Sequence, residues 1–385
     1  MKKHLALLLA LGMTLGLGAC SSPSATTPTP APSADTTVSA APVETQDKAL
    51  DIMFVVTGSL GGGNNVDDVK AALDEYVATY GGSVQTFECN MDTSVYQAQL
   101  ETAAEDEKYD LIVTGFSTMV EPLCNTAKEF PDQKFFLFDA AVDFTSGDYP
   151  NVISAQARGN EGGFLAGALA ALMTESADAE RANADKKIGF VGGLESTAIL
   201  DFMFGYVEGA KYVDPEIEVL YSFVGNQNDS ALTQEIARSQ NQSGADVIFA
   251  ATNSDLAVAD VALENDFYAI CCDADEAARI AESNVDEANH ILTSVIKDYK
   301  GMVAPMLIQI GEGTAQWGQH TYIRYSEGGV TVPQNEWFSN QVPASVLADY
   351  EAIVADMEAG KIDVSTAYGA GADVIDSFKE LASSK

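Results

Sequence analysis

From residue 50 onward, short apolar runs that end in glycine or a small polar residue alternate with stretches whose apolar positions lie three and four apart. The first pattern reads as a strand buried on both faces and the second as an amphipathic helix, so the alternation predicts βα units around parallel sheets. The clearest unit is KIGFVGGLESTAILDFMFGYVEG over 187–209: an apolar run at 188–191 meets Gly192 and Gly193, and Ile199, Phe202, Tyr206 and Ala210 then share one helical stripe. Strand, tight turn and helix follow in that order. Ligands of open parallel sheets bind beyond the carboxyl ends of the strands, so the turn at 192–197 is expected to face whatever the protein holds.

Counterparts lie on both sides. Strands are expected at 50–56, 84–87, 111–114, 135–138 and 152–155, with helices near 66–80, 94–105 and 118–130. The pattern restarts with strands at 188–191, 219–223, 247–250, 268–272 and 291–296, and helices near 198–212, 232–240, 256–264 and 299–310. Hairpin-like pieces at 320–325 and 330–332 and a helix at 344–357 close the chain. Gly163, Gly167 and Ala171 suit a close backbone approach. The expected fold class is α/β: a two-lobed clamp, each lobe a parallel sheet flanked by helices, with a ligand cleft between them. In the simplest packing 50–156 and 297–385 make the first lobe and 157–296 the second.

The amino terminus changes the picture. Lys2 and Lys3 precede an apolar run at 5–17 and then Leu17-Gly18-Ala19-Cys20, a secretory signal too short to span a bilayer. Its last four residues resemble a bacterial lipobox, which would make 1–19 a cleaved signal and Cys20 the lipidated residue. Residues 20–49 are rich in Pro, Ser, Thr and Ala and bury too little to offset the entropy of ordering. A domain tethered outside the cytoplasm, held to the membrane by its lipid alone, is expected.

With 20 Lys and Arg against 57 Asp and Glu, the formal charge is −37, which repels phosphate backbones and argues against nucleic acid. Cys89, Cys124, Cys271 and Cys272 lack CxxC spacing and histidine neighbours, so no zinc site is expected. Cys271 and Cys272 point to opposite faces of a strand, while Cys89 and Cys124 are either buried thiols or a bridge. The glycine-rich turn from Gly58 has the wrong spacing for a dinucleotide fingerprint, no P-loop lysine is present, and no nucleophile, base and orienting group stand in a recognisable set. Neither a cofactor nor an enzyme is expected.

Candidate ligand contacts fall at strand ends. Asp273 and Lys297 offer charge-assisted hydrogen bonds to a polyhydroxylated ligand, or an interlobe salt bridge, and Asp139 closes a strand where a cleft would lie. Phe202 sits on the helical stripe, where a core role competes with ligand contact. Asn64, Asn65, Gln227, Asn228 and Asn253 occupy strand-to-helix turns, as caps or together as an amide-rich cleft.

KIGFVGG from Lys187, FMFGYVEGAKYVDPEIEVLYSFVG from Phe202, GADVIFAA from Gly244, LTSVIK from Leu292, EGGFLAG from Glu161 and VPASVLADYEAIVADMEAGKI from Val342 resemble the basic membrane protein family of lipoproteins. These are PnrA-like substrate-binding components of ABC transporters with the type I periplasmic-binding fold, and the resemblance covers about 50–364. It implies a monomer that holds a purine nucleoside between lobes joined by crossing strands and delivers it to a permease and its ATPase. It also implies that Asp273 accepts from ribose hydroxyls, that Lys297 is the cleft lysine, and that Asn65 and Asp139 belong to the first-lobe binding motifs. Departures occur at Gly58, where the family has Asp, at Asn64, where an aromatic stacks on the base, at 225–229, where a second aromatic stands, and at 252–255, where the family has a glycine-rich turn. Each missing stacking face is worth about 1–3 kcal/mol. A sugar-like or other polar ligand is therefore the alternative, as is a sensor that reports occupancy to a membrane signalling partner.

Overall fold

The computed structural model describes residues 48–62 and 65–384. The expected signal, Cys20, most of the tether and Asn64 lie outside the described residues. β1 (Leu50–Val56), β2 (Gly82–Glu88), β3 (Leu111–Gly115), β4 (Phe135–Phe138) and β5 (Val152–Ala157) run parallel in the order β5-β4-β3-β1-β2. Helices α1 (Asn65–Tyr80), α2 (Tyr96–Glu105) and α3 (Val120–Glu129) connect them. β3, β4 and β5 are buried at every residue, as expected of strands covered on both faces.

The second lobe repeats the scheme. α4 (Gly159–Glu175) leads into β6 (Lys187–Gly192), α5 (Thr197–Val213), β7 (Glu218–Phe223), α6 (Ser230–Gln242), β8 (Ala245–Ala251), α7 (Leu256–Asn265), β9 (Tyr268–Cys272), α8 (Glu276–Ala281), α9 (Val285–Ala288) and β10 (Ile291–Lys297). Its strands run parallel in the order β10-β9-β8-β6-β7. α4 and α5 meet backbone to backbone through two glycine pairs. A methyl group on Gly163 or Gly167 would lie 2.4 Å from the Phe202 carbonyl oxygen or 2.0 Å from that of Tyr206, and one on Gly205 or Gly209 would lie 1.9 Å from the Asn160 or 2.0 Å from the Phe164 oxygen.

The carboxyl-terminal part departs from the simplest packing. Residues 297–385 were expected in the first lobe, yet the described part of the tail divides. α10 (Tyr299–Gly311) packs on α1, and β11 (Gln319–Ile323) extends the first sheet parallel to β5. β12 (Val330–Thr331) instead pairs antiparallel with β10 in the second sheet. The two pieces that read as a hairpin therefore belong to different sheets, since each finds an open edge there. α11 (Glu336–Gln341) lies against β10, and α12 (Ala344–Glu358) buries Val346, Tyr350 and Met357 on the α4 side of the second lobe. α13 (Ala372–Ser383) covers the β7 edge, where Phe378 stacks on Phe204 of α5 with ring centroids 3.8 Å apart. The chain thus crosses between the sheets at 157–159, 297–299 and 324–329.

Carboxylates cap α6 and α7. Asp229 accepts from the Leu232 N–H at 3.0 Å and Asp255 from that of Leu256 at 2.9 Å, so Asn228 and Asn253 do not cap α6 and α7. Cys89, Cys124, Cys271 and Cys272 are all buried free thiols, and burial pushes the Cys89 thiol up to about 11.

Candidate ligand site between the lobes

Both sheets point their carboxyl edges at the junction, and three non-glycine residues there adopt left-handed backbone. Phe116 follows β3 with φ 72°, Asp139 follows β4 with φ 49° and Asp273 follows β9 with φ 64°. Such conformations cost energy at residues with a Cβ and are held by the surrounding structure. Each turns a side chain out of its strand at the junction.

Asp139, of the first lobe, meets Lys297 at the end of β10, with Nζ 3.0 Å from Oδ1 and 3.3 Å from Oδ2. The Tyr299 hydroxyl donates to Asp139 Oδ2 at 3.0 Å. Side-chain exposure is only 10% for Lys297 and 8% for Asp139, and the ammonium stands 5.6 Å over the Phe202 ring. Burial pulls the lysine toward neutrality, but Asp139 and Asp273 outweigh it and hold the ammonium well above the ordinary lysine range. Asp273, after β9, is exposed to solvent. Desolvation raises its carboxyl, against the pull of Lys297, and the Cys272 thiol donates to its Oδ2 at 3.6 Å.

Beside this group opens a cavity of about 380 Å³ with walls from both lobes. Phe116, Ser117 and Asp139 contribute from the first lobe, Ser196 and Thr197 from the start of α5, and Gln156, Lys297 and Tyr368 from β5, the end of β10 and the segment before α13. The volume suits a ligand of nucleoside or sugar size, since small-molecule pockets span about 300–1,000 Å³. Hydroxyls, an amide, a paired ammonium and the positive end of α5 line it, together with the rings of Phe116 and Tyr368 and the apolar side chains of Val120 and Ala140. That set offers hydrogen bonds from several directions to a polar molecule of this size.

The expected contacts divide. Lys297 pairs with Asp139 rather than with Asp273, and Asp273, which is not a wall of the cavity, acts on the ammonium only at longer range. Phe202 is 4% exposed and edge-on to Phe249, with centroids 6.1 Å apart; it is a core ring supporting Lys297. Gln227 and Asn253 instead belong to two adjoining loops, where Thr252 Oγ1 donates to the Gln227 carbonyl at 2.9 Å and Asn253 Nδ2 to Asn228 Oδ1 at 3.1 Å. Neither is a wall of the cavity, and nor is Asn65, which opens α1. Phe116, Gln156, Tyr299 and Tyr368 escaped the sequence reading. Gln156 carried a signal, a polar residue inside the apolar run VISAQA, and Tyr299 stands just past the selected Lys297.

A second buried network ties two of the crossing segments together. Glu161, 1% exposed, accepts from Arg324 Nε at 3.0 Å and from the Tyr325 N–H at 2.7 Å, with Arg158 Nε 3.3 Å away.

Two parallel-sheet lobes with a polar cavity at their junction define a solute-binding architecture. An ABC transporter system solute-binding protein from Aeropyrum pernix K1 shares it with a TM-score of 0.67 at 20% identity, covering 86% of this chain and 98% of that one. The family model described as ABC transporter substrate-binding protein PnrA-like matches residues 49–361, and the chain belongs to that family. It is a family of substrate-binding proteins, not of enzymes. Relatives include the Lactococcus lactis protein named ABC transporter nucleoside-binding protein BmpA, 35% identical over 148 residues, or 38% of each chain. Basic membrane protein B of Borreliella burgdorferi is 26% identical over 262 residues, 66% of this chain and 72% of that one. In the first three relatives the match spans only 38–39% of their length. Among the described residues no helix is long and apolar enough to cross a membrane.

Proposed function

We propose that the chain captures a purine nucleoside in the interlobe cavity and delivers it to a membrane permease driven by a separate ATPase, while a lipid on Cys20 keeps it at the outer face of the cell membrane. The observation that carries this reading is the cavity itself: about 380 Å³ between two lobes, with the Asp139–Lys297 pair and the Phe116 ring in its wall and Asp273 near enough to act on Lys297. Carboxylates beside a fixed ammonium hold ribose hydroxyls through charge-assisted bonds. Phe116 supplies an apolar ring, by a different residue from the positions where the family's aromatics were sought. The name of the Lactococcus relative agrees with this ligand class. Closure of the lobes on the ligand is a hinge motion at the three crossings, driven by contacts made only in the closed state.

The test is the melting temperature of the chain against inosine, guanosine, adenosine, free bases, ribose and amino acids, since a ligand that binds only the folded form stabilises it by mass action. A shift with nucleosides that disappears in Asp273→Ala supports the assignment. No shift with any nucleoside at millimolar concentration overturns it, and a shift with ribose alone moves the protein to sugar-like ligands.

A further inference from the structure

We propose that Tyr368 is a specificity-determining residue of the cleft, which donates a hydrogen bond to an acceptor atom on the nucleoside's base. This rests on the nucleoside reading above. The family match ends at residue 361, so Tyr368 lies outside the matched residues, yet its ring is a wall of the cavity.

The segment that carries it is clamped. Arg158 Nη2 donates to the Val364 carbonyl at 2.8 Å, and the Asn160 amide donates to the Val364 and Ser365 carbonyls at 3.0 Å each. Asp201, 2% exposed on α5, accepts from Thr366 Oγ1 at 2.6 Å and from the Ala367 N–H at 2.9 Å. Beyond it, α13 is held by the Phe378–Phe204 stack, by Lys379 on Glu195, and by Lys211 on the Ser384 carbonyl. A loop fastened at this many points delivers its tyrosine in one place.

The tyrosine hydroxyl is itself oriented. The amide of Gln156, a residue only 2% exposed on β5, donates Nε2–H to the Tyr368 oxygen. With that lone pair taken from behind, the phenolic proton is left to donate outward. Among the described residues Gln156 Oε1 has no hydrogen-bond partner. A buried donor aimed at a ligand acceptor discriminates strongly, because a ligand lacking the acceptor leaves it unpaired.

The experiment measures dissociation constants of inosine, guanosine, adenosine and uridine by titration calorimetry for the full chain, Tyr368→Phe and Thr366→Val. Tyr368→Phe keeps the ring, and is expected to weaken at least one nucleoside about 3- to 10-fold while changing the ratio between the tightest and the weakest by about threefold or more. Thr366→Val removes the hydroxyl that donates to Asp201 and accepts from the Tyr368 N–H, and is expected to change the same ratio in the same direction by less. Unchanged affinities in Tyr368→Phe, or weakening of all four by a common factor, overturn the proposal and leave the nucleoside reading intact. If the unaltered chain binds none of the four, the nucleoside reading fails and this proposal falls with it.

Discussion

Replacing Lys297 by Met keeps most of the aliphatic stem and removes the charge that joins the two lobes. The ammonium lies 3.0 Å from Asp139 and both side chains are about nine-tenths buried, so the pair has already lost most of its water. At an effective dielectric constant of about 20, charges at that separation attract by about 5 kcal/mol. Part of this offsets the desolvation of the pair, and breaking such a pair from one side typically costs about 3–5 kcal/mol. After the change Asp139 keeps the Tyr299 hydroxyl, but Asp273 loses the cation that opposed its desolvation. Its carboxyl, already above the ordinary range, then rises further. A carboxyl raised in the folded state costs nothing below its unfolded value, accrues its cost as the pH rises from there to the folded value and bears it in full above that, so acidification restores the stability. The expected deficit in urea unfolding is therefore about 3–5 kcal/mol at pH 7.5, shrinking substantially by pH 4.5. Lys297→Met with Asp139→Asn should recover about 2 kcal/mol of it, because the buried carboxylate goes with its partner. A deficit under about 1 kcal/mol at pH 7.5, or one that does not shrink in acid, would refute the placement of an uncompensated charge at this junction.

Gly167→Ala should destabilise the chain by about 1–3 kcal/mol despite the better helix propensity of alanine, because its methyl would lie 2.0 Å from the Tyr206 oxygen and must part α4 from α5; equal or higher melting temperature sinks this reading. Asp246 is 1% exposed and burial raises its carboxyl to about 6, so the fold bears no cost for it below pH about 4 and the full cost above pH about 6. Asp246→Asn should then gain about 2 kcal/mol over the parent at pH 7.5 and nothing at pH 4, read from urea midpoints at the two values; a gain that is the same at both would rule out titration as its source. Glu161→Leu should cost about 3–5 kcal/mol by leaving Arg324 and Arg158 without their buried carboxylate, and a melting temperature within a degree of the parent would show that this network does not hold the crossings.

The local chemistry of the chain was enough to place the βα units and three of the site's charges. Runs such as FFLF at 135–138 and the period of Ile199, Phe202 and Tyr206 state a buried strand and a helix without reference to distant residues. Once strands are parallel, their carboxyl ends lie on one edge, so Asp139, Asp273 and Lys297 were findable as strand-end charges. The fate of the tail was not legible in this way, because β11 and β12 are short and either edge could accept them; which sheet each joins depends on where the first 300 residues leave an open strand. Gln227 and Asn253 lie in turns of the same type as those that build the site, yet their loops bond to each other away from the cavity. Tyr368 had no periodicity and no motif around it, and it reaches the cleft only because Asn160 and Asp201, more than 150 residues earlier, hold its loop there. Strand, helix and strand-end charge follow from interactions within a few residues and were set by the sequence itself; the walls of the cavity come from contacts between remote segments, which only the folded chain brings into register.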